Sequence, residues 1–542
     1  MKSCSAKLLC LFVIVTGCVV SSCECDEIRE RFNILGVFGH LGKSHFDVFL
    51  PILEELAHRG HNVTVLSFFP RKDRIPNYRD ISLGDSTAIF LNVIDLTKLD
   101  HSIFYIVSEL KMLHNMAEIA CYSALRTTAV KEFLKSDEKF DLILTESFNT
   151  DCFLGFVHKF KAPFIGLSSH AIIPWVNNRL NNPDNPSYIP GLFHSVSPSM
   201  TFFERVMNTF WIVAEQIAYD LIFTRPMQSL VEETFGPGVP PLQDIANNMT
   251  ALMVNTHFSL HGARPLSPSV VEIGGVHIRG AKPLPKDLQD FLDSAEHGVL
   301  YFSWGSMVRA SSMPNETLAT IVEALGRLKQ KVLWKWENDD LPNKPKNLMT
   351  RQWLPQFDVL SHPNVKGFLA HAGLLGLSEA IYVGVPIVAV PMFGDQHGNA
   401  KAAEARGAAI ILQYEDITVD TLTGALNEIL NNPSYRRNAR AVSEAYRDRP
   451  ASALETAVWW AEYVARGKGR PFLRSASANL SWYQYHLLDV IGFLSLAGLA
   501  VLFVAVFAVK RLLKALNLPV KKVGITSEAN DLTKNETNKK RN

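Results

Sequence analysis

The sequence predicts an α/β protein with two doubly wound domains that face a cleft, followed by a transmembrane helix. Short apolar runs alternate with helical patterns through most of the 542 residues, which is typical of parallel sheets covered by helices. This length exceeds what one compact core usually holds, so two domains are expected. Residues 490–509 are uncharged and almost wholly apolar, and they are numerous enough to cross a bilayer as a helix.

The amino-terminal segment has the layout of a secretory signal. Lys2 and Lys7 precede an apolar run at residues 8–20, and small or polar residues follow it. Residues 1–25 are therefore predicted to be a signal peptide. An uncleaved anchor is the alternative, although the run is shorter than the roughly 20 residues that a span requires. Either interpretation sends the body of the chain into the lumen.

Residues 26–270 are predicted to form the first domain. An apolar run at 33–38, apolar residues at helical spacing through 46–56 and a second run at 63–66 indicate a βαβ unit. Such a unit belongs to a parallel sheet. Polar or turn residues flank the further strand candidates, which are 142–144, 164–167 and 252–254.

One stretch of the first domain has a strongly amphipathic pattern. Its apolar residues recur at helical spacing and are Phe203, Val206, Met207, Phe210, Ile212, Val213, Ile217 and Leu221. We expect these side chains to pack in the core. The alternatives are the lining of a ligand pocket and a surface that touches a bilayer.

A loosened segment rich in proline and glycine, residues 271–286, is predicted to link the domains. Residues 287–455 are expected to form the second doubly wound domain, and residues 456–489 a return and membrane-proximal segment that packs back across both domains. The strand candidates of the second domain are 299–302, 332–336, 365–369, 387–390 and 409–412.

Composition excludes some classes of partner and site. The 54 basic and 53 acidic residues nearly balance, so no strong field of one sign is available to bind nucleic acid. Five of the seven cysteines lie in or beside the signal segment, which leaves Cys121 and Cys152 in the body. We therefore expect neither a disulfide framework nor a zinc site.

The residues around the apolar stretch predict its orientation. Aromatic residues from Trp482 to Tyr485 precede it, and Lys510 and Arg511 begin a basic segment after it. This asymmetry favours a single-pass type I protein with a lumenal body and a cytosolic tail at 510–542. The lysines at the third and fourth positions from the end resemble a dilysine retrieval signal of the endoplasmic reticulum.

Glycosylation sequons are expected to be usable where they are lumenal. Asn62 is the least favoured because we expect it to begin a buried strand, and Asn535 falls in the cytosolic tail. The lumenal sequons begin at Asn62, Asn248, Asn315 and Asn479.

Loops that follow the strands of a parallel sheet carry ligand sites, and one such loop has a specific pattern. The run HAGLLGLSEAIYVGVPIVAVPMFGDQHGNA, from His371 to Ala400, resembles the signature of the UDP-glycosyltransferase superfamily. QWLPQFDVLSHP at 352–363 and FSWGSM at 302–307 are similar to the same family, in the same order. The resemblance spans the whole chain and is closest to insect members. It implies the GT-B fold, with the acceptor bound by the first domain and a UDP-sugar by the second.

The resemblance also implies the roles of individual donor-site residues. Trp353 would stack on uracil, or else be an ordinary core aromatic, and Gln356 would contact the nucleoside. Ser306, His371 and the backbone at Gly373 would hold the diphosphate, since small residues and free N–H groups at a helix start suit an anion. The remaining contacts are expected from Glu379 to the ribose hydroxyls and from Asp395 and Gln396 to the sugar.

Three positions depart from the family pattern. Ala370 stands where a serine or threonine is usual, and Ala372 where glycine is frequent. Leu375 stands where many relatives carry asparagine, which removes one side-chain contact to phosphate but leaves the backbone donors in place.

The loop after the first strand contains two histidines. A neutral imidazole suits the removal of a proton from a hydroxyl, and the resemblance places His45 rather than His40 at the catalytic position. A carboxylate is expected to orient this base. Asp151 is slightly favoured as that partner, and Glu146 is kept as the alternative.

The expected function is the transfer of a hexose from a UDP-sugar, with inversion, to a hydroxyl of a small lipophilic acceptor. The UDP-sugar is a co-substrate, and neither a cofactor nor a metal ion is expected. The resemblance favours glucose over glucuronic acid, and detoxification or conjugation of endogenous small molecules as the purpose. The alternatives are a noncatalytic membrane protein of the same fold that binds a ligand, and a transferase that acts on membrane lipid. Homo-oligomerisation is left open.

Overall fold

The computed structural model describes residues 30–84, 91–98 and 105–516. The predicted signal peptide, the dilysine motif and Asn535 lie outside the described residues. The chain divides into two compact units, Met1–Arg474 and Ser475–Asn542.

A seven-stranded parallel sheet forms the centre of the first domain, with strand order β3-β2-β1-β5-β6-β7-β8. Its buried strands are the apolar runs of the sequence, because a sheet covered on both faces needs apolar side chains on both. The strands numbered in this part of the chain are β1 Asn33–Phe38, β2 Asn62–Ser67, β3 Tyr78–Ser82, β4 Ile94–Asp95, β5 Leu142–Glu146, β6 Phe164–Ser168, β7 Ala251–Val254 and β8 Val270–Glu272. Strand β8 extends this domain past the expected boundary at residue 270.

Helices cover both faces of this sheet, and residues from opposite faces form two separate apolar clusters. The helices of this domain are α1 Lys43–His58, α2 Tyr105–Leu125, α3 Thr128–Leu134, α4 Gly155–Phe160, α5 Pro174–Arg179, α6 Phe202–Ala218, α7 Arg225–Phe235, α8 Leu242–Ala246 and α9 Phe258–His261. Asn62 begins β2 as expected, but its side chain is exposed.

The second domain has a six-stranded parallel sheet of order β12-β11-β9-β13-β14-β15. Its strands, with the short β10, are β9 Val299–Ser303, β10 Val308–Arg309, β11 Lys331–Lys335, β12 Leu348–Arg351, β13 Val365–Ala370, β14 Ile387–Ala389 and β15 Ala409–Ile411. Its helices are α10 Lys286–Asp293, α11 Asn315–Gly326, α12 Gln356–Leu360, α13 Leu374–Val383, α14 Gln396–Ala405, α15 Val419–Asn431 and α16 Pro433–Arg447.

Two features join the domains. Helix α17, Ala453–Arg466, packs its buried face into the first-domain cluster that contains α1. Strand β4 of the first domain pairs in parallel with β10 of the second. Next to this pair the Asn92 N–H donates to the Ser306 carbonyl at 2.9 Å. The first domain is therefore hydrogen-bonded to the loop that follows β9.

Cys121 and Cys152 form a disulfide, which the sequence did not predict. The bridge joins the carboxyl-terminal part of α2 to the turn after β5, two segments that both reach the cleft. Two cysteines do not make a disulfide framework. The fold nevertheless brings their Cα atoms to 6.1 Å, a distance at which a disulfide can form.

The expectation that the amphipathic stretch of the first domain packs in the core is wrong. Most of its apolar residues lie on the exposed side of α6, and Phe203 is 76% exposed. Only Ile212 of the predicted set is buried.

The second unit contains the short helix α18, Trp482–Tyr485, and the long helix α19, Leu488–Ala515. Helix α19 includes the whole predicted span and extends it at both ends. It is long and apolar enough to cross a membrane, by length and composition.

Candidate active site

The carboxyl ends of the two sheets face a shared cavity of about 460 Å³. In each sheet the strand order reverses beside the first strand, at β1 and β5 in one and at β9 and β13 in the other. Ligands bind at such switch points in open α/β sheets. Every donor-site residue predicted from the sequence lines this cavity, as does His45.

His45, in the first turn of α1, is hydrogen-bonded to the carboxylate that ends β5. Its Nδ1 lies 2.6 Å from Glu146 Oε1. A carboxylate only accepts, so Nδ1 carries the hydrogen and Nε2 keeps its lone pair. The Glu146 side chain is almost wholly buried, which fixes its position under the ring. This pairing leaves one nitrogen of His45 free to accept a proton.

Asp151 does not contact His45, and the slight preference for it as the orienting carboxylate is wrong. It is buried and forms an ion pair with the buried guanidinium of Arg179. Thr224 also lies against it, at 3.4 Å. The carboxylates at 146 and 151 are close in sequence, but β5 ends at the first, whereas the second begins a turn that faces α5.

His40 is the less suitable base. It stacks on His45 with ring centroids 4.1 Å apart, and its Nδ1 accepts the Gly42 N–H at 2.9 Å. Burial lowers the pKa of His40 well below its usual value, and the neighbouring His45 lowers it further. His40 therefore stays neutral and serves as a packing surface for His45.

Two glycines pack against His371 in the second domain, Gly373 from its own loop and Gly305 from the loop after β9. A Cβ atom at Gly305 or Gly373 would lie 2.6 Å or less from the imidazole, so only glycine fits at either place. Gly305 also has a φ of 74°, which favours glycine on its own account. Burial lowers the pKa of His371 to about 4, so the ring is neutral and can donate one hydrogen bond.

Helix α13 begins directly after the loop that contains His371, and its first N–H groups have no partner within the helix. Its N-cap, Gly373, supplies no side chain to satisfy them. Ala372 has a φ of 63°, a left-handed conformation that strains alanine and that glycine would adopt more easily. Leu375 lines the cavity and packs against the first-domain cluster, so the residue that departs from the usual asparagine supplies apolar contact instead.

The end of the cavity that is predicted to bind the nucleoside is formed by Trp353 and a hydrogen-bonded chain. The indole of Trp353 is 62% exposed, so it is no core aromatic and presents a free face for stacking. Gln356 accepts from Tyr301 Oη at 3.2 Å and donates to Glu379 Oε2 at 2.6 Å. Burial raises the pKa of Glu379 to about 7.

The loop after β14 places Asp395 and Gln396, the residues predicted to contact the sugar, on the cavity wall. Asn399 donates to Asp395 Oδ2 at 2.8 Å and to the Ala372 carbonyl at 3.2 Å, which ties this loop to the loop before α13. Burial raises the pKa of Asp395. The Gln396 oxygen accepts the Met392 N–H at 2.9 Å and the Phe393 N–H at 3.3 Å, so its Nε2 is the atom left to serve a sugar hydroxyl.

Comparison with known proteins fits this geometry. The family model described as UDP-glucoronosyl and UDP-glucosyl transferase matches residues 41–525. The chain belongs to this family of UDP-glycosyltransferases. It is 40% identical over 490 residues to UDP-glycosyltransferase UGT5 of the insect Dactylopius coccus, an alignment that covers 89% of this chain and 93% of that one.

Mammalian relatives and solved structures agree with the assignment. UDP-glucuronosyltransferase 1A8 of Rattus norvegicus is 34% identical over 510 residues, covering 90% of this chain and 94% of that one. The calicheamicin glycosyltransferase CalG4 superposes with a TM-score of 0.54 at 17% identity, covering 82% of this chain and 99% of that one. This structural likeness confirms the predicted GT-B fold.

Two residues of this transferase's site escaped the sequence analysis. Ser169 Oγ lies 2.9 Å from His45 Nδ1, beside Glu146, and so offers the ring a second polar neighbour. Asn255 is buried and donates to the Ser169 carbonyl at 3.0 Å, while its oxygen accepts the Gly275 N–H. Ser169 directly follows β6 and Asn255 directly follows β7. A polar residue just after a strand of a parallel sheet was the signal in the sequence that could have identified them.

The raised pKa of Glu379 predicts a pH dependence of donor binding. Above about pH 7 the carboxylate is ionised and can accept from both ribose hydroxyls, whereas below that pH it is protonated and accepts less well. We expect KM for the UDP-sugar to rise as the pH falls through about 7, and Glu379→Gln to remove that dependence. Initial rates across this pH range measure it, and a flat wild-type KM would contradict the assignment.

Proposed function

We propose that this transferase moves a hexose from a UDP-sugar to a hydroxyl of a small lipophilic acceptor, with His45 as general base. The observation that carries the proposal is the 2.6 Å contact between His45 Nδ1 and Glu146, at the acceptor side of a cleft lined by donor-binding residues. The carboxylate fixes the tautomer of the ring and stabilises the imidazolium that forms on proton transfer.

The proposed reaction is a single displacement. His45 Nε2 takes the proton of the acceptor hydroxyl, whose oxygen bonds to the anomeric carbon as the bond from that carbon to UDP breaks. The electron pair of the broken bond leaves with the diphosphate. The N–H groups at the start of α13 and the neutral His371 then stabilise the added negative charge.

The acceptor half of the cleft favours an apolar molecule. Its wall in the first domain includes a group of apolar side chains on α2 and on the loops after β5 and α5. These are Met112, Leu113, Met116, Phe148, Leu192 and Phe193. Apolar surface of this kind binds a lipophilic body, while His45 positions the one hydroxyl that reacts.

The cations of the cleft support glucose as the donor sugar. A glucuronate carboxylate needs a cationic partner, and among the described cleft residues the lysines and arginines are Lys43 and Lys335 only. Lys43 is paired with Asp47 at 2.5 Å and Lys335 with Glu337 at 3.3 Å. A relative named UDP-glucosyltransferase 2, from Dactylopius coccus, is 38% identical to this chain.

We further propose that α19 anchors the enzyme in the endoplasmic reticulum membrane as a single-pass type I protein. The aromatic residues before the helix and the basic residues after it support a lumenal body. In that setting the reaction serves detoxification or conjugation of endogenous small molecules, because a lipophilic acceptor becomes more polar when a sugar is added.

Catalysis is expected to continue after divalent cations are removed. His40, His45 and Glu146 offer ligand atoms within 4.8 Å of one another, but Glu146 Oε1 is already hydrogen-bonded to His45 Nδ1, and His40 Nδ1 accepts the Gly42 N–H. We expect a strong chelator to leave the transfer rate within about twofold of its starting value. A rate that collapses with chelator and returns with one added metal would contradict the metal-free mechanism.

The test of the proposed function is sugar transfer in microsomes that contain the full chain. A panel of UDP-sugars is supplied with mixed phenols and alcohols, and in a separate reaction with membrane lipid extract. Transfer from UDP-glucose to small hydroxyl compounds supports the proposal. UDP binding without transfer to any acceptor would support a noncatalytic binding protein, and transfer to lipid alone would reassign the acceptor.

A further inference from the structure

Helix α6 has the reverse polarity of a helix on a water-soluble protein. Its exposed side carries a continuous apolar strip, whereas two of the three residues that it buries are polar, Asn208 and Glu215. Helices on soluble domains bury the apolar stripe and expose the polar one. We name the strip the α6 apolar face, and its members are Phe203, Val206, Met207, Phe210, Val213, Ile217 and Leu221.

Hydrogen bonds on the buried side fix this orientation. Asn208 donates to the Ile189 carbonyl at 2.8 Å and accepts the Gly191 N–H at 2.8 Å. Glu215, with no exposed surface, lies 3.1 Å from His194 Nε2. Rotating the helix about its axis to bury the apolar face would leave these polar groups without their hydrogen-bond partners. The exposed face is therefore a stable feature of the fold.

Nothing in the described part of this unit covers the α6 apolar face. Phe203 is 76% exposed and Phe210 is 59% exposed. Six of the seven residues follow the spacing of one side of α6, and Leu221 continues the strip in the π-helical turn at 219–224, so they make one contiguous patch and not scattered single residues. Monomeric soluble proteins rarely expose a patch of that kind without a partner.

We propose that the α6 apolar face inserts into the interfacial layer of the bilayer that α19 crosses. The proposal rests on the membrane anchor proposed above. Residues 475–487 separate the body from α19, so the tether keeps the body close to the membrane surface and raises the effective concentration of the face there. The seven members include no charged residue, so apolar burial drives the contact.

The same helix supports the acceptor wall. The loop bonded to the buried side of α6 contains Leu192 and Phe193, which line the cleft. One helix thus lies between the proposed bilayer contact and the acceptor wall. An acceptor dissolved in the membrane would have a short path to His45.

Cleavage between body and anchor tests the proposal. A protease site is placed within residues 475–487 of the full chain, which is reconstituted in phosphatidylcholine vesicles, cleaved and sedimented. We expect the wild-type body to remain with the vesicles. The triple replacement of Phe203, Phe210 and Ile217 by serine should shift its partition toward the supernatant ~tenfold or more. Phe258→Ser, which removes a ring that is 55% exposed outside α6, is the matched control and should leave the partition unchanged.

The outcomes distinguish a failure of the proposed bilayer contact from a failure of the proposed membrane anchor. Failure of the uncleaved chain to sediment with the vesicles would refute the anchor, whereas release of the wild-type body on cleavage would overturn the bilayer contact alone. Release of the body as a dimer that the triple variant converts to a monomer would also overturn it, in favour of a second copy of the chain. A circular dichroism spectrum and a cooperative thermal transition like those of the wild type show that each variant is folded.

Discussion

Replacing His45 with alanine is expected to reduce turnover by roughly 10²–10⁴-fold, because the acceptor hydroxyl would then lose its proton without a positioned base. The affinity for UDP should stay close to wild type, since the donor-binding residues lie in the second domain. Turnover with a saturating UDP-sugar and binding of UDP alone measure the two effects separately. The loss should appear in kcat, because proton removal belongs to the reaction step.

His40→Ala is the matched control for that experiment. The ring packs 4.1 Å from His45 but has no proposed proton-transfer role, so its loss should be much less damaging than the loss of His45. Equal losses in the two variants, or retained turnover in His45→Ala, would contradict the assignment of the base.

Substitutions of Glu146 and of Asp151 are expected to have different effects, the first on turnover and the second on stability. Glu146→Gln should lower turnover by about 10²-fold or more with little loss of stability, because a neutral amide no longer fixes the tautomer of His45 or stabilises its cation. Asp151→Asn should lower the free energy of unfolding by about 3–5 kcal/mol, because Arg179 would remain buried without its counter-charge. Thermal unfolding and kcat, measured on both variants, give the comparison.

Those measurements also test the corrected partner of His45. The fraction of Asp151→Asn that remains folded should turn over at close to the wild-type rate. A folded, stable Asp151→Asn enzyme with a large loss of kcat would show that Asp151 acts in catalysis, against the observed geometry.

Much of the fold was predictable because buried parallel strands are short apolar runs. The sequence therefore predicted β1, β9 and β13, which all have that form. It missed β3, whose sequence YRDIS has no apolar run because the strand lies at the edge of its sheet and is only partly buried. Periodicity likewise predicted helix α6 but not its surroundings. A 3.6-residue pattern shows that one side of a helix is apolar, but it does not show whether that side contacts the protein core or another environment.

The grouping of the predicted donor residues in the cavity was predictable because these residues lie within three continuous motifs. His371 and Glu379 occupy one loop and the helix that follows it, so their order in sequence already fixes their neighbourhood. The catalytic pair was harder. Glu146 and Asp151 are both acidic and five residues apart, and the choice depends on Arg179, which only the fold brings to the second of them. The Cys121–Cys152 bridge was missed for the same reason.

The central claim, direct attack of an acceptor activated by His45, is tested most directly by the anomeric configuration of the product. The wild-type enzyme is supplied with a UDP-sugar of defined α configuration, and the anomeric coupling of the product is read by NMR. One displacement from the face opposite UDP predicts a β-linked product. An α-linked product would require a second displacement or attack from the face that UDP leaves, and it would contradict the mechanism.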